Sequence, residues 1–118
     1  MEPSLSSLVL YTSRMEQMAQ FYSDHFDYTA HIAENDRIVE LRPPGDGMTL
    51  LLHPKGKGRK QGQVLVKLVF ATKDVVGICD NARAKGLEFG PMHQADGYVF
   101  ANTKDPAGNS VSVSGRLA

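Results

Sequence analysis

Cysteine is nearly absent: the 118-residue chain has one, Cys79. A single thiol closes no internal disulfide and builds no multi-cysteine zinc site, which points to a reducing compartment. Excess charge of either sign is missing too, with 13 Lys+Arg against 13 Asp+Glu. That balance argues against a nucleic-acid or anionic-membrane footprint, both of which need clustered surplus Lys and Arg. No apolar run approaches the length of a membrane span, and no basic stretch followed by an apolar one opens the chain. The expectation is a cytoplasmic protein with no nucleic-acid and no membrane partner. What remains is ordinary globular material, 42% hydrophobic and 22% charged. Its length, below roughly 150 residues, predicts a single domain over 1–118. Such a chain buries about two-thirds of its unfolded surface, enough for a core without covalent staples.

Hydrophobic periodicity predicts the elements. Residues 5–11 read as a strand, with Leu8 and Leu10 on one face and Ser7, Val9 and Tyr11 on the other. Ser13 precedes Glu16 by three residues, the spacing of a capping box. Met15, Met18, Ala19, Tyr22 and Phe26 then recur at helical spacing, predicting a helix over 14–26. Residues 28–34 and 37–41 alternate across Asn35-Asp36 and predict a hairpin, followed by a loop at 43–47 and a strand over 48–53. The Gly- and Lys-rich stretch 54–63 reads as a connector. The pattern then recurs: strand 64–71, and helix 74–85 with Val75, Ile78, Cys79 and Ala82 on one face. Gly86 follows at the place of a left-handed cap. Strands 97–103 and 109–114 are joined by Asp105-Pro106-Ala107-Gly108, and 87–89 is a further short-strand candidate. Each half reads strand, helix, then two or three strands. Lys67 matches Ser7 and Lys73 matches Ser13 at an offset of 60, and Ser112 matches Leu51 at 61. The modules span about 5–53 and 64–114.

The faces carry the functional signal. Val66, Leu68 and Phe70 share one side of their strand, and Lys67, Val69 and Ala71 the other; Val111 and Val113 alternate with Ser110, Ser112 and Ser114. The apolar sides must pack on the helices, where burial is worth about 25 cal/mol per Å². The opposite sides mix hydroxyls, a lysine and small aliphatics, with His53 included if 48–53 alternates. Such a face suits a ligand cleft or a wetted groove, with a plain solvent-exposed sheet face as the alternative.

Three segments resemble the vicinal oxygen chelate superfamily, also called the glyoxalase/bleomycin resistance/dioxygenase superfamily. They are Leu8-Val9-Leu10-Tyr11 followed by the helix through Phe21-Tyr22, then Lys67 to Ala71 with the helix opening at Asp74-Val75 and Ala84-Lys85-Gly86-Leu87-Glu88-Phe89, and the turn Asp105-Pro106-Ala107-Gly108-Asn109. The resemblance spans essentially the whole chain. It implies an α+β fold in which two βαβββ modules form a curved mixed sheet with a concave cleft, commonly in a homodimer. It also implies one divalent metal held by a His on the first strand and a Glu or related ligand on the last strand of each module. By position those places hold Ser7, Leu51, Lys67 and Ser112. Leucine has no lone pair to offer, serine hydroxyl is weak, and a lysine ammonium repels a cation. The usual metal centre is therefore expected to be absent.

The other candidate groups have quieter readings. His31 and Glu40 would be cross-strand neighbours and read as an exposed charge pair. His25 suits the negative end of its helix, and His93 lies in a loop. No pair of histidines has ligand spacing such as HxH or HExxH. The run 55–62 lacks phosphate-loop spacing and reads as a solvated loop, with a phosphate- or CoA-contacting flap as the alternative. Cys79 reads as core, and the serines of 110–114 have no GxSxG elbow.

The resulting expectation is a metal-free, bleomycin-resistance-like protein that binds a small organic molecule in a cleft between the modules. Its lining would be Ser7, Val9, Tyr11, Leu51, His53, Lys67, Val69, Phe100, Ser112 and Ser114. A cationic ligand such as bleomycin does not suit these positions, which include a lysine and no carboxylate. No residue receives a catalytic role and no cofactor is expected. Three alternatives stay open. The first is a metal-dependent glyoxalase-type lyase or isomerase, or an extradiol dioxygenase, with a relocated site around His53, His31 or Glu40. The second is a metal-independent enzyme with Lys67 or His53 as general base. The third is a structural or regulatory dimer with a vestigial cleft.

Overall fold

The computed structural model describes residues 6–58 and 66–118. Its elements run β1 (Ser7–Thr12), α1 (Met15–Phe26), β2 (Thr29–Ile32), β3 (Val39–Arg42), β4 (Thr49–Pro54), β5 (Lys67–Ala71), α2 (Val75–Ala84), β6 (His93–Gln94), β7 (Val99–Lys104) and β8 (Ser110–Ser114). The order is βαβββ twice. The strands hydrogen-bond as two four-stranded mixed sheets, β1-β4-β3-β2 and β5-β8-β7-β6. In each, the first strand lies parallel to the last and the remaining pairs are antiparallel. The chain divides into compact units of residues 1–61 and 62–118.

Each unit buries its helix stripe against one side of its own sheet. In the first, Met18, Phe21 and Tyr22 of α1 are buried, as are Leu41, Leu50 and Leu52 of the strands on which the helix packs. In the second, Val75, Cys79 and Ala82 of α2 are buried together with Leu68, Ala101, Val111 and Val113. Fully burying one such aliphatic or aromatic side chain is worth about 1.5–3 kcal/mol, so these two stripes hold each unit together. The period-2 alternation of the strands sends every intervening residue to the opposite side.

Local hydrogen bonds repeat between the units. Thr12 Oγ1 accepts from Arg14 N–H at 2.9 Å, and Thr72 Oγ1 accepts from Asp74 N–H at 3.1 Å. Helix α1 thus starts differently from the expected capping box. Its N-cap is Arg14, with no side-chain cap, because the threonine before it already turns the chain. Asp74 does cap α2, its Oδ1 accepting from Gly77 N–H at 3.0 Å. Gly86 takes φ +92°, the left-handed conformation expected after the helix. The 105–109 turn is closed by Asp105, whose Oδ1 accepts from Ala107 and Asn109 N–H at 2.9 Å and whose Oδ2 accepts from Asn109 Nδ2 at 2.8 Å.

One further expectation is corrected. Residues 87–89 form no strand; Gly90 N–H instead bonds Asn102 O, and the fourth strand of the second sheet is the two-residue β6. His25 sits in the last turn of α1, at its negative end as expected. The residue that closes the helix is Asp27 at φ +58°, its N–H bonding Tyr22 O, while the His25 ring lies 5.1 Å from that of Phe21. The predicted boundaries at 5 and 64, and the basic run from 59 onward, lie outside the described residues.

Candidate functional site

On the second sheet, the side turned from α2 carries three rows of residues. Register places Val69, Ser112 and Asn102 side by side, Ala71, Ser114, Phe100 and His93 in the next row, and Lys67, Ser110 and Lys104 on the other flank. Together with Tyr98, Arg116 and Leu117, most of these line a pocket of about 410 Å³. That volume is in the range of small-molecule sites. Phe100 and Tyr98 give it an aromatic floor, their ring centroids 6.2 Å apart, and His93, which does not line the pocket, stacks on Phe100 with centroids 5.0 Å apart and planes 28° apart.

The polar groups of this pocket are partly committed. Ser112 is buried, and its hydroxyl donates to Ala101 O at 3.1 Å, so it meets a ligand only as an acceptor. Ser114 Oγ accepts from Arg116 N–H at 3.1 Å. Lys67 Nζ donates to Asn102 Oδ1 at 3.2 Å and stands 6.0 Å from the Phe100 ring centre. Arg116 reaches Tyr98 Oη at 3.4 Å and covers its ring at 5.9 Å. All five second-unit residues expected at a site, Lys67, Val69, Phe100, Ser112 and Ser114, meet in this pocket.

The corresponding side of the first sheet gathers the other five. Ser7 pairs with Thr49, Val9 with Leu51, and Tyr11 with His53. The Tyr11 and His53 rings are 5.1 Å apart. Leu51 in turn pairs with Glu40 and Glu40 with His31, so a carboxylate shares this face, which the expected lining lacked. His31 and Glu40 are cross-strand neighbours as expected, but Glu40 Oε1 takes its hydrogen bond from Arg42 Nε at 2.8 Å. His53 Nδ1–H donates to Pro54 O at 2.9 Å, leaving Nε2 to accept from Arg37 Nη2 at 3.4 Å. A guanidinium therefore occupies the lone pair that a metal would need.

The four positions corresponding to the resemblance's metal ligands do not fit a divalent ion. Leu51 presents only carbon, Lys67 a cation, and Ser7 and Ser112 neutral hydroxyls, which are weak ligands for such an ion. Among the described residues, no three His, Cys, Asp or Glu side chains gather into a group able to hold a metal. Cys79 is buried in the core, and burial foremost, with Asp80 adding to it, pushes its thiol up against the smaller lowering effect of Arg83. The resulting deficit of thiolate does not suit a nucleophile.

Tyr98, Arg116 and Leu117 were not foreseen as pocket residues. The alternation Tyr98, Phe100, Asn102 carries a signal for the first. Arg116 and Leu117 follow the strand beyond Gly115, where no periodicity reaches. Among the described residues, no helix is long and apolar enough to cross a membrane.

Comparison with known proteins agrees with this architecture. The model of the Glyoxalase/Bleomycin resistance protein/Dioxygenase superfamily matches residues 4–113. The uncharacterized Bacillus subtilis protein YetH is 25% identical over 110 residues, covering 89% of this chain and 92% of that one. Among solved structures, TnmS3, an antibiotic binding protein from a Streptomyces species, superposes with TM-score 0.78 at 18% identity over 95% of this chain and 94% of its own. A lactoylglutathione lyase from Agrobacterium tumefaciens gives TM-score 0.73 at 20% identity, covering 96% and 93%. The chain belongs to the glyoxalase/bleomycin resistance/dioxygenase superfamily.

Proposed function

We propose that this protein is a metal-free member of its superfamily that binds a small organic molecule without transforming it. The observation that carries the reading is the second-unit pocket, which five of the expected lining residues share with aromatic side chains, while the metal-ligand positions hold a leucine, a lysine and two serines. Binding there needs only burial of apolar surface plus a few polar contacts. The fold shared with an antibiotic binding protein supports it. Ser7, Val9, Tyr11, Leu51 and His53 share the corresponding side of the first sheet. In this reading the whole of 1–118 works as one domain with modules at 5–53 and 64–114, in a cytoplasmic homodimer.

The test is elemental analysis of tag-free protein after equilibration with Mg, Mn, Fe(II), Ni and Zn and desalting, paired with a thermal-shift screen of metabolites. The expected result is no retained metal and stabilising hits that Val69→Trp abolishes, since that bulky, uncharged side chain would fill the pocket. Near one ion retained per chain, or hits indifferent to Val69→Trp, would overturn it.

A further inference from the structure

Building on that pocket reading, we propose that the second-unit pocket selects flat aromatic anions, with Lys67 anchoring the acid group and Phe100 stacking on the ring. Strands β5, β7 and β8, which build the face, contain no Asp or Glu. Three cations nevertheless stand on or beside it: Lys67, Lys104 and Arg116. In a chain whose charges balance overall, this is a local field of one sign. It favours an anion and repels a cation.

Among the described residues neither Lys67 nor Arg116 is ion-paired; Lys67 is held by the neutral amide oxygen of Asn102, and Arg116 by the hydroxyl and ring of Tyr98. A neutral acceptor orients an ammonium without cancelling it, so an arriving carboxylate gains a charge-assisted bond and displaces no competing acid. The contrast with the first sheet is direct, since there Glu40 already engages Arg42 at 2.8 Å.

Geometry then sets the shape of the ligand. Lys67 Nζ stands 6.0 Å from the Phe100 ring centre, and Phe100 continues through stacked His93 and neighbouring Tyr98. A planar ring lying on this floor brings an acid group on its edge within reach of Nζ. Offset stacking on Phe100 supplies contact, and the ammonium supplies the discrimination between an acid and its neutral isostere.

The absence of tryptophan lets naphthalene fluorescence report binding directly. The probes are naphthoate, its neutral isostere naphthamide, and the cation naphthylmethylammonium. Naphthoate is expected to bind about tenfold tighter than naphthamide, with the cation weakest, and its lead should shrink as salt rises. Lys67→Met should bring naphthoate down to the affinity of naphthamide without changing naphthamide itself, while Phe100→Ala weakens both. Arg116→Met, a second exposed substitution, should lower naphthoate less than Lys67→Met. Equal binding of acid and amide, or a preference untouched by Lys67→Met while Phe100→Ala still acts, would overturn the anion selectivity and leave the pocket reading standing. Failure of all three probes to bind, or binding indifferent to Phe100→Ala, would overturn the pocket reading and this inference with it.

Discussion

On the first sheet, Val9, Leu51, Glu40 and His31 form one row across four strands; at the corresponding places on the second sheet stand Val69, Ser112 and Asn102. The scaffolds beneath are alike: the same strand order, the same parallel first-to-last pairing, the same threonine turning into the helix at positions 12 and 72. The faces turned away from the helices diverge. The first carries the ion pair of Glu40 with Arg42, and His53 accepts from Arg37. The second carries an aromatic floor, committed serine hydroxyls and cations with neutral partners. A shared architecture fixes where side chains point, and their identity decides what each surface can bind.

Substitutions that make one unit resemble the other sharpen that comparison. The largest effect is expected at the 105–109 turn, where the buried Asp105 side chain accepts three hydrogen bonds. Asp105→Ala should cost about 2–4 kcal/mol, read as a lowered denaturant midpoint, because buried donors lose a charged acceptor. A loss under 0.5 kcal/mol, below roughly the net worth of one ordinary hydrogen bond, would show that the turn closes without it.

Next comes the pocket floor. Phe100→Ala should weaken binding of naphthoate by about 1–3 kcal/mol, while Tyr11→Ala on the first sheet leaves it unchanged. Fluorescence titration of both variants decides whether the two faces are unequal; equal losses would contradict the assignment to the second sheet.

Tyr28 donates its hydroxyl to Met48 O at 2.8 Å. Tyr28→Phe should cost about 1 kcal/mol. Burial raises the Tyr28 phenol above its ordinary 10.0. Its contribution is therefore fully present below pH 10.0 and is lost as the pH climbs through the higher folded value. Stability curves of the two proteins should converge above pH 10.0, and parallel curves there would contradict the assignment.

The smallest effect belongs to Glu40→Asn, which copies Asn102 onto the first face. The exposed pair with Arg42 is worth at most about 1 kcal/mol, so thermal unfolding should shift little. The variant face should nonetheless gain affinity for naphthoate, and unchanged affinity would mean that charge balance does not separate the faces.

Most of the fold was legible because long alternating and helical patterns announce themselves. Val66, Leu68 and Phe70 against Lys67, Val69 and Ala71 needed only a period of two. What escaped was short or non-periodic. Strand β6 is two residues, His93–Gln94, too brief to alternate, and the apolar residues of 87–89 drew the expectation instead. Ser13 and Glu16 matched a capping box by spacing, but Thr12 performs the turn. Phe21 is buried beside Tyr22 although the anticipated stripe omitted it. Of the site, strand residues were readable from their faces. Glu40 was paired with His31 but left out of the lining, because placing it beside Leu51 requires the β3–β4 register, and Arg116 was missed because it lies past the last strand.

The most direct measurement is a backbone NMR titration of the protein with naphthoate. Shifts concentrated at Val69, Phe100, Ser112 and Ser114 are predicted, fading in Lys67→Met. Shifts concentrated at Val9, Leu51 and Glu40, or none at saturating naphthoate, would contradict the assignment of the ligand pocket to the second sheet.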